Sequence, residues 1–363
     1  MSRYNVYCYE VTPNSINTKA FNEELVKGIL TKTIDDTSKL TFSLLASVVG
    51  KDELLPMKTL VRVTRGIKEL FFGTLVKRSY SILDGVFSYE CVGVLGSYQF
   101  MPPYRSFAAG TDLDVVIAQT EARFNGTATG VYACANPWTE LYSGKSELTN
   151  FGSLSTTYFG CAMNAGFTDI QKNAENAYDF LKSIAEQGAY YLPNSWDWAH
   201  WVEDGRSALL TPISGVNTQE VRYDRNLISC DIELNPYVTR AKVVGKGANV
   251  EKAGADYPGV FYFKDYYMED KASGNYTQSE LTRYADNFLS DQEVIINATG
   301  FDEGILDNGT PFLDMDKFVN LVYLENNTEV RVQTTISQIT YNLTNPSQDK
   351  VQLGKRIKPL TER

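Results

Sequence analysis

The chain has 363 residues, so two or three domains are expected. It is 43% hydrophobic and 21% charged, with 23 Tyr and 18 Phe, a composition that excludes a disordered chain and favours sheet and subunit interfaces. A formal net charge of −10, with no basic patch interleaved with aromatics, argues against a nucleic-acid reader, because such a surface repels phosphate.

The N-terminus, MSRYNVYCYEV, alternates polar and apolar residues at once and lacks an apolar core with a small-residue cleavage site, so no signal peptide is read there. An apolar stretch such as Leu44 to Val49 is six residues, far short of a membrane span, and no stable membrane insertion is expected. Cys8, Cys91, Cys134, Cys161 and Cys230 are odd in number and dispersed, the pattern of reduced core thiols in a chain made in a cytoplasm.

The first hundred residues read as antiparallel strands with one buried face. Leu40, Phe42 and Leu44 alternate, as do Val61 and Val63, then Phe71, Gly73 and Leu75, then Phe87, Tyr89 and Cys91. Asp84-Gly85 is the clearest two-residue hairpin signal, and a barrel or sandwich ends near Met101-Pro102-Pro103. The middle third changes period. Thr111 and Asp114 form a capping box ahead of Leu113, Val116, Ile117, Thr120 and Phe124 at helical spacing. A second helix is predicted from about Ala174 to Gln187, with Ala177, Phe180, Leu181, Ile184 and Ala185 on one face; Gly188 ends it and Ala189 to Leu192 continues as a strand. Residues 126–166 read as a loop-rich stretch to which no element is assigned.

Sheet returns with Ile232, Leu234, Val238, Val243 and Val244. A helix capped by Thr277 and Glu280, with Leu281, Tyr284, Ala285 and Phe288 on its face, interrupts it. In EVRVQTTISQITYNL the alternation Val330, Val332, Thr334, Ile336 slips phase to Ile339, Tyr341, Leu343, which predicts a β-bulge at Ser337-Gln338. The fold class is therefore α+β and β-rich, with 1–105 and 229–363 as sheet domains, 106–228 as an α+β domain, and a helix-bearing insertion at about 250–292.

Catalytic motifs are scarce. His200 is the single histidine, so HExxH zinc chemistry is excluded and any Ser or Cys nucleophile would have it as its only imidazole base. Cys161 with His200 is the one conceivable thiol dyad, but Cys161 lacks nucleophile flanks and His200 lacks an evident orienting partner; a small core cysteine is the expectation. Trp196, Trp198 and Trp201 cluster around His200. Their ring faces suit stacking on a cell-wall saccharide, whereas packing at a domain or subunit interface is the structural alternative. Nine acids and one base (Lys317) lie between Asp291 and Val330, and Lys350 to Arg363 reverses this with five bases and one acid. Asp302, Glu303, Asp307, Asp314 and Asp316 lack EF-hand spacing, although Asp314 and Asp316 would share one strand face about Met315 and could take an opportunistic cation. No Walker or Rossmann glycine pattern occurs. No catalytic, metal or cofactor residue is assigned, and no cofactor is expected.

Three segments carry a resemblance. They are TLVRVTRG…LFFGTLVKRSYSILDGVFSYECVGVLGSYQF, then DFLKSIAEQGAYYL with RYDRNLISCDIELNPYVTRAKVVGKGA, and last ITYNLTNPSQDKVQLGK. In this order and spacing, over roughly Leu40 to Lys358, the chain resembles the tail-hub proteins of long-tailed bacteriophages, the Tal or baseplate-hub family often labelled prophage tail endopeptidase. The resemblance implies two related β-barrel domains per subunit in a homotrimer at the virion tail tip, six barrels docking on a hexameric distal tail protein. It also implies tape measure protein and receptor-binding or fibre proteins as neighbours, and DNA only in transit. Larger relatives continue into fibre or lytic domains, and this sequence stops at Arg363 before any such extension. The expectation is a structural hub and not an enzyme, with a tail-associated peptidoglycan hydrolase or a saccharide-binding module as alternatives.

Overall fold

The computed structural model describes residues 4–11, 16–21, 24–48, 50–101, 113–125, 151–156, 175–182, 199–233, 240–245, 248–253, 263–267, 282, 295–301 and 313–354. The first third supplies β1 (Asn5–Val11), β2 (Ile16–Ala20), β3 (Leu25–Thr33), β4 (Lys39–Leu45), β5 (Thr59–Arg65), β6 (Lys68–Ser81) and β7 (Val86–Val92), followed by a single helical turn, α1 (Val94–Ser97). The middle supplies α2 (Leu113–Phe124), β8 (Ser153–Thr156), β9 (Ala199–Asp204) and β10 (Ser207–Pro212), with residues 177–182 also helical. The last part supplies β11 (Val221–Arg222), β12 (Leu227–Glu233), β13 (Arg240–Gly245), β14 (Ala248–Ala253), β15 (Phe263–Tyr267), β16 (Ile295–Gly300), β17 (Val319–Glu325), β18 (Thr328–Thr334), β19 (Ile336–Asn342) and β20 (Lys350–Leu353).

One sheet of 11 strands dominates, in the order β12-β16-β20-β19-β3-β4-β7-β6-β5-β1-β2. Every neighbouring pair in it is antiparallel. The first and last thirds of the chain meet where β19 pairs with β3, from Gln338 opposite Thr33 to Asn342 opposite Ile29. Three smaller sheets, β8-β10-β9, β11-β17-β18 and β14-β13-β15, accompany it, and the described residues are β-rich with few helices. Among the described residues the large sheet is open, with β2 and β12 as its edges, and no closed barrel forms.

The sheet separates two cores. Val6, Cys8, Val61, Val63, Phe71 and Leu75 pack on one side with Leu321, Ile339, Tyr341 and Val351 from the far end of the chain. Tyr9, Leu60 and Phe72, from the same strands, face a second core with Val116, Ile117, Phe124, Phe180 and Trp201. This corrects the expectation of one buried face: six of the seven residues of β5 are buried, because successive residues of a strand point to opposite sides and both sides are covered.

Several local readings hold. β4 buries Leu40, Phe42 and Leu44 and exposes the residues between. The helix over 113–124 is present, with Val116, Ile117, Thr120 and Phe124 buried; of the second predicted helix, 177–182 is helical with Ala177, Phe180 and Leu181 buried, and the rest lies outside the described residues. Pairing between β19 and β20 shifts register between Ile336 and Gln338, the predicted bulge. Other readings change. The β6–β7 connection pairs Ser81 with Val86 across four residues, Ile82 to Gly85, so the Asp84-Gly85 turn is not a two-residue hairpin; Gly85 takes φ 62° at its end. Within the loop-rich residues 126–166, to which sequence reading assigns no element, Ser153 to Thr156 form a parallel pair with β10. The predicted helix capped by Thr277 and Glu280 lies outside the described residues, except that residue 282 is helical.

Candidate functional site

A grouping of ionisable side chains lies where the β3–β4 turn meets the middle segment. Asp35 occupies that turn with φ 60°, a left-handed conformation that Asp tolerates better than most residues. Its backbone N–H donates to the Trp201 carbonyl at 3.0 Å, and the Trp201 N–H donates back to Asp35 Oδ1 at 3.0 Å. Asp35 Oδ2 lies 2.7 Å from His200 Nδ1. One carboxylate thus fixes both the backbone of β9 and the imidazole ring, the orienting partner that sequence inspection did not find. No local signal could have found it, since the two residues are 165 positions apart.

Asp36, next in the turn, accepts hydrogen bonds from the Tyr178 hydroxyl and the Thr37 N–H. Burial acts to raise its carboxyl, but these two bonds with Lys39 and Lys182 outweigh it and hold the group below the usual carboxylate range. Burial and Asp36 together push the Tyr178 phenol upward.

Glu203, on β9, is buried and accepts from the Ser38 and Leu95 N–H groups, each at 2.6 Å, and sits 3.2 Å from the Thr37 hydroxyl. It thereby satisfies an orphan donor of the first turn of α1, which has no local capping side chain. Desolvation pushes its carboxyl up, against the pull of those bonds and of the nearby buried Lys32. The side chain of Glu203 also occupies the space a Cβ on Gly93 would need, at 2.2 Å from Oε2.

Of the predicted tryptophan cluster, Trp201 is 0% exposed and its indole N–H donates to the Leu181 carbonyl at 2.8 Å. Its ring is core, with no face for a saccharide. Trp196 and Trp198 lie outside the described residues, as do Cys134 and Cys161. The described cysteines are not activated: burial raises the thiols of Cys8, Cys91 and Cys230. The site therefore offers an imidazole oriented by a carboxylate, the base half of a nucleophilic dyad, with no activated thiol among the described residues.

The acidic segment reads differently in three dimensions. Asp314 lies 3.1 Å from Lys68 Nζ and 2.8 Å from Lys317 Nζ, so two ammonium groups neutralise it. Burial acts to raise its carboxyl, and the lysines win and lower it. Residues 313–316 are not a strand: Met315, which is buried, and Asp316 form a turn ahead of β17, so Asp314 and Asp316 do not share a strand face. No group of three or more His, Cys, Asp or Glu suited to a metal ion occurs among the described residues. No helix among them is long and apolar enough to cross a membrane.

Comparison of the sequence with known protein families finds no match, and comparison with curated proteins finds none either. Solved structures do match. A tail protein from Neisseria meningitidis aligns over 97% of this chain and 97% of its own length with TM-score 0.62 at 9% identity. The 43 kDa tail protein of prophage MuSo2 from Shewanella oneidensis aligns over 96% and 97% with TM-score 0.59 at 8% identity. Prophage tail protein gp18 from Listeria monocytogenes aligns over 98% and 96% with TM-score 0.55 at 10% identity. From end to end, this chain has the fold seen in these three phage tail proteins.

Proposed function

We propose that the chain is a structural hub of a bacteriophage tail tip, a homotrimer that closes the distal end of the tail tube and opens for the tape measure protein and DNA. One observation carries the reading: the alignment with three phage tail proteins covers nearly all of this chain and nearly all of each of theirs. Such identity supports fold, and the tail role is inferred from what those proteins are named. In this reading residues 1–105 and 229–363 supply the two related β-barrel hub domains, the second with an insertion at about 250–292, and 106–228 is the α+β domain between them. The hexameric distal tail protein and receptor-binding or fibre proteins are the neighbours. An acidic lumen suits such a channel, because like charge keeps DNA from adhering to the wall.

The test is the solution mass of the 40.7 kDa chain, alone and with its distal tail protein. A trimer supports the hub. A stable monomer in both conditions removes it.

The Asp35–His200 pair favours a second reading, a tail-associated peptidoglycan hydrolase, since an imidazole held at 2.7 Å by a carboxylate is the geometry of a general base and its orienter. Loss of turbidity in cell-wall preparations, abolished by Asp35→Asn and by His200→Ala, would establish it; no turbidity loss with wild-type chain ends it.

A further inference from the structure

One charge enters the first core without a bond. Lys32 on β3 is 8% exposed. It falls on the same face as Leu30 and directly opposite Ile339 of β19, both members of that core. Among the described residues its ammonium makes no hydrogen bond and no ion pair. Charges from three parts of the chain act on it at longer range: Asp204 and Glu203 of β9, Lys68 of β6, and Asp314 ahead of β17. Asp204 exerts the largest of these influences, so the turn joining β9 to β10 is the element whose position matters most to the amine. Burial outweighs the three carboxylates and holds the amine below the usual lysine range. An ammonium kept from water with no direct partner raises the free energy of the closed arrangement, and an uncharged side chain of the same length would fill the position without that cost. The turn is nevertheless pinned: Arg206 pairs with Glu69 at 3.0 Å, Gly205 bridges to Phe71, and Glu203 accepts from the Ser38 and Leu95 N–H groups.

We propose that Lys32 is a built-in opposing charge that keeps the β9–β10 hairpin poised to lift from the large sheet. Closed, the hairpin keeps the ammonium from water; lifted, it lets water hydrate it. The position of the hairpin is thus a contest between its anchors at Glu69, Ser38 and Leu95 and the dehydrated charge. Segments that open well below the threshold of global unfolding are those whose closed arrangement carries such a local cost. The pH sense follows. The closed arrangement binds this proton less tightly than the lifted one, so closure is favoured as pH rises from the lowered value toward the ordinary lysine value of about 10.4. The other titratable groups of β9, His200 with its partner Asp35, Glu203 and Asp204, remain in a Lys32 variant, so the difference between the two chains isolates Lys32. The inference is independent of the trimer and of the tail role.

The experiment is hydrogen exchange read by mass spectrometry on the full chain, wild type against Lys32→Met, at pH 7 and pH 9 with intrinsic rates divided out. Lys32→Met keeps the stem and removes the charge. It is expected to slow exchange across residues 199–212 by about fivefold or more, with β4 and β7 unchanged. The gap to wild type is expected to narrow at pH 9. Exchange across 199–212 that is unchanged or faster in Lys32→Met overturns the proposal, and so does a gap that widens with pH. Equal slowing in β4 and β7 assigns the cost to the whole fold and overturns the hairpin device. Should Lys32→Met fail to fold, the wild-type profile decides: exchange across 199–212, relative to β4, that falls from pH 7 to pH 9 supports the proposal, and exchange that rises or stays level overturns it.

Discussion

Arg65 on β5 and Asp349, the residue before β20, meet inside the first core: Nη1 lies 3.9 Å from Oδ2, with side chains 0% and 1% exposed. The Tyr4 hydroxyl also donates to Asp349, the Asn342 N–H donates to its other oxygen at 2.8 Å, and the Arg65 guanidinium lies 5.5 Å from the centre of the Tyr4 ring. Three parts of the chain remote in sequence are thus tied to one buried carboxylate. Asp349→Leu takes the carboxylate away from the buried Arg65 guanidinium and is expected to cost about 3–5 kcal/mol. Arg65→Met with Asp349→Leu removes both charges and is expected to cost clearly less. Urea titrations of the two variants check the order; an equal loss in both would refute the account.

Glu203 sets a pH dependence of definite sign. Burial raises its folded-state pKa above the unfolded value, so between those two values the folded chain holds a proton that the unfolded chain has released. Stability linked to this group is complete below the unfolded value and falls as pH rises through the folded one. Glu203→Gln is expected to flatten that fall, which begins above the ordinary glutamate value of about 4.3, in thermal melts. An unchanged slope would sink the assignment.

Asp314 acts in the opposite direction. Lys317 and Lys68 lower its folded-state pKa despite partial burial, so its contribution is present above the unfolded value and is lost as pH falls through the folded one. Asp314→Asn is expected to lower the melting temperature at neutral pH, with the gap to wild type closing below about pH 4. Added salt should narrow the gap only in part, since the carboxylate is half buried.

Gly73 is required by space and not by its dihedral angles. A Cβ there would lie 2.1 Å from the Val92 carbonyl oxygen and 2.5 Å from the Phe71 ring, in the middle of the β5-β6-β7 ladder. Gly73→Ala is expected to give insoluble chain, whereas Gly85→Ala, with nothing within 4 Å of its Cβ but φ 62°, should fold at a cost of about 1 kcal/mol. Soluble yield and urea midpoints compare them.

Local order was legible wherever one face decides it. Leu40, Phe42 and Leu44 showed β4, the phase slip at Ser337 showed a bulge, and Val116, Ile117 and Phe124 showed α2. What sequence inspection missed are relationships between distant residues. Nothing near Val94 signals a helical turn, because the carboxylate that accepts from the Leu95 N–H comes from Glu203. Nothing near His200 names Asp35. Trp201 shares a stretch with Trp196 and Trp198, yet its burial is set by Leu181 and Phe180 from another element. The alternation that marks a strand also carries no record of its partner, so the β3–β19 junction was invisible.

That junction has a consequence for biosynthesis. Strand β3 leaves the ribosome roughly 300 residues before β19, which at about 5–20 residues per second means tens of seconds without its partner. During that interval an edge that is central in the finished protein is open to pairing with other nascent chains. Yield in a producing cell should therefore depend on translation speed and temperature more steeply than the stability of the folded molecule alone would suggest.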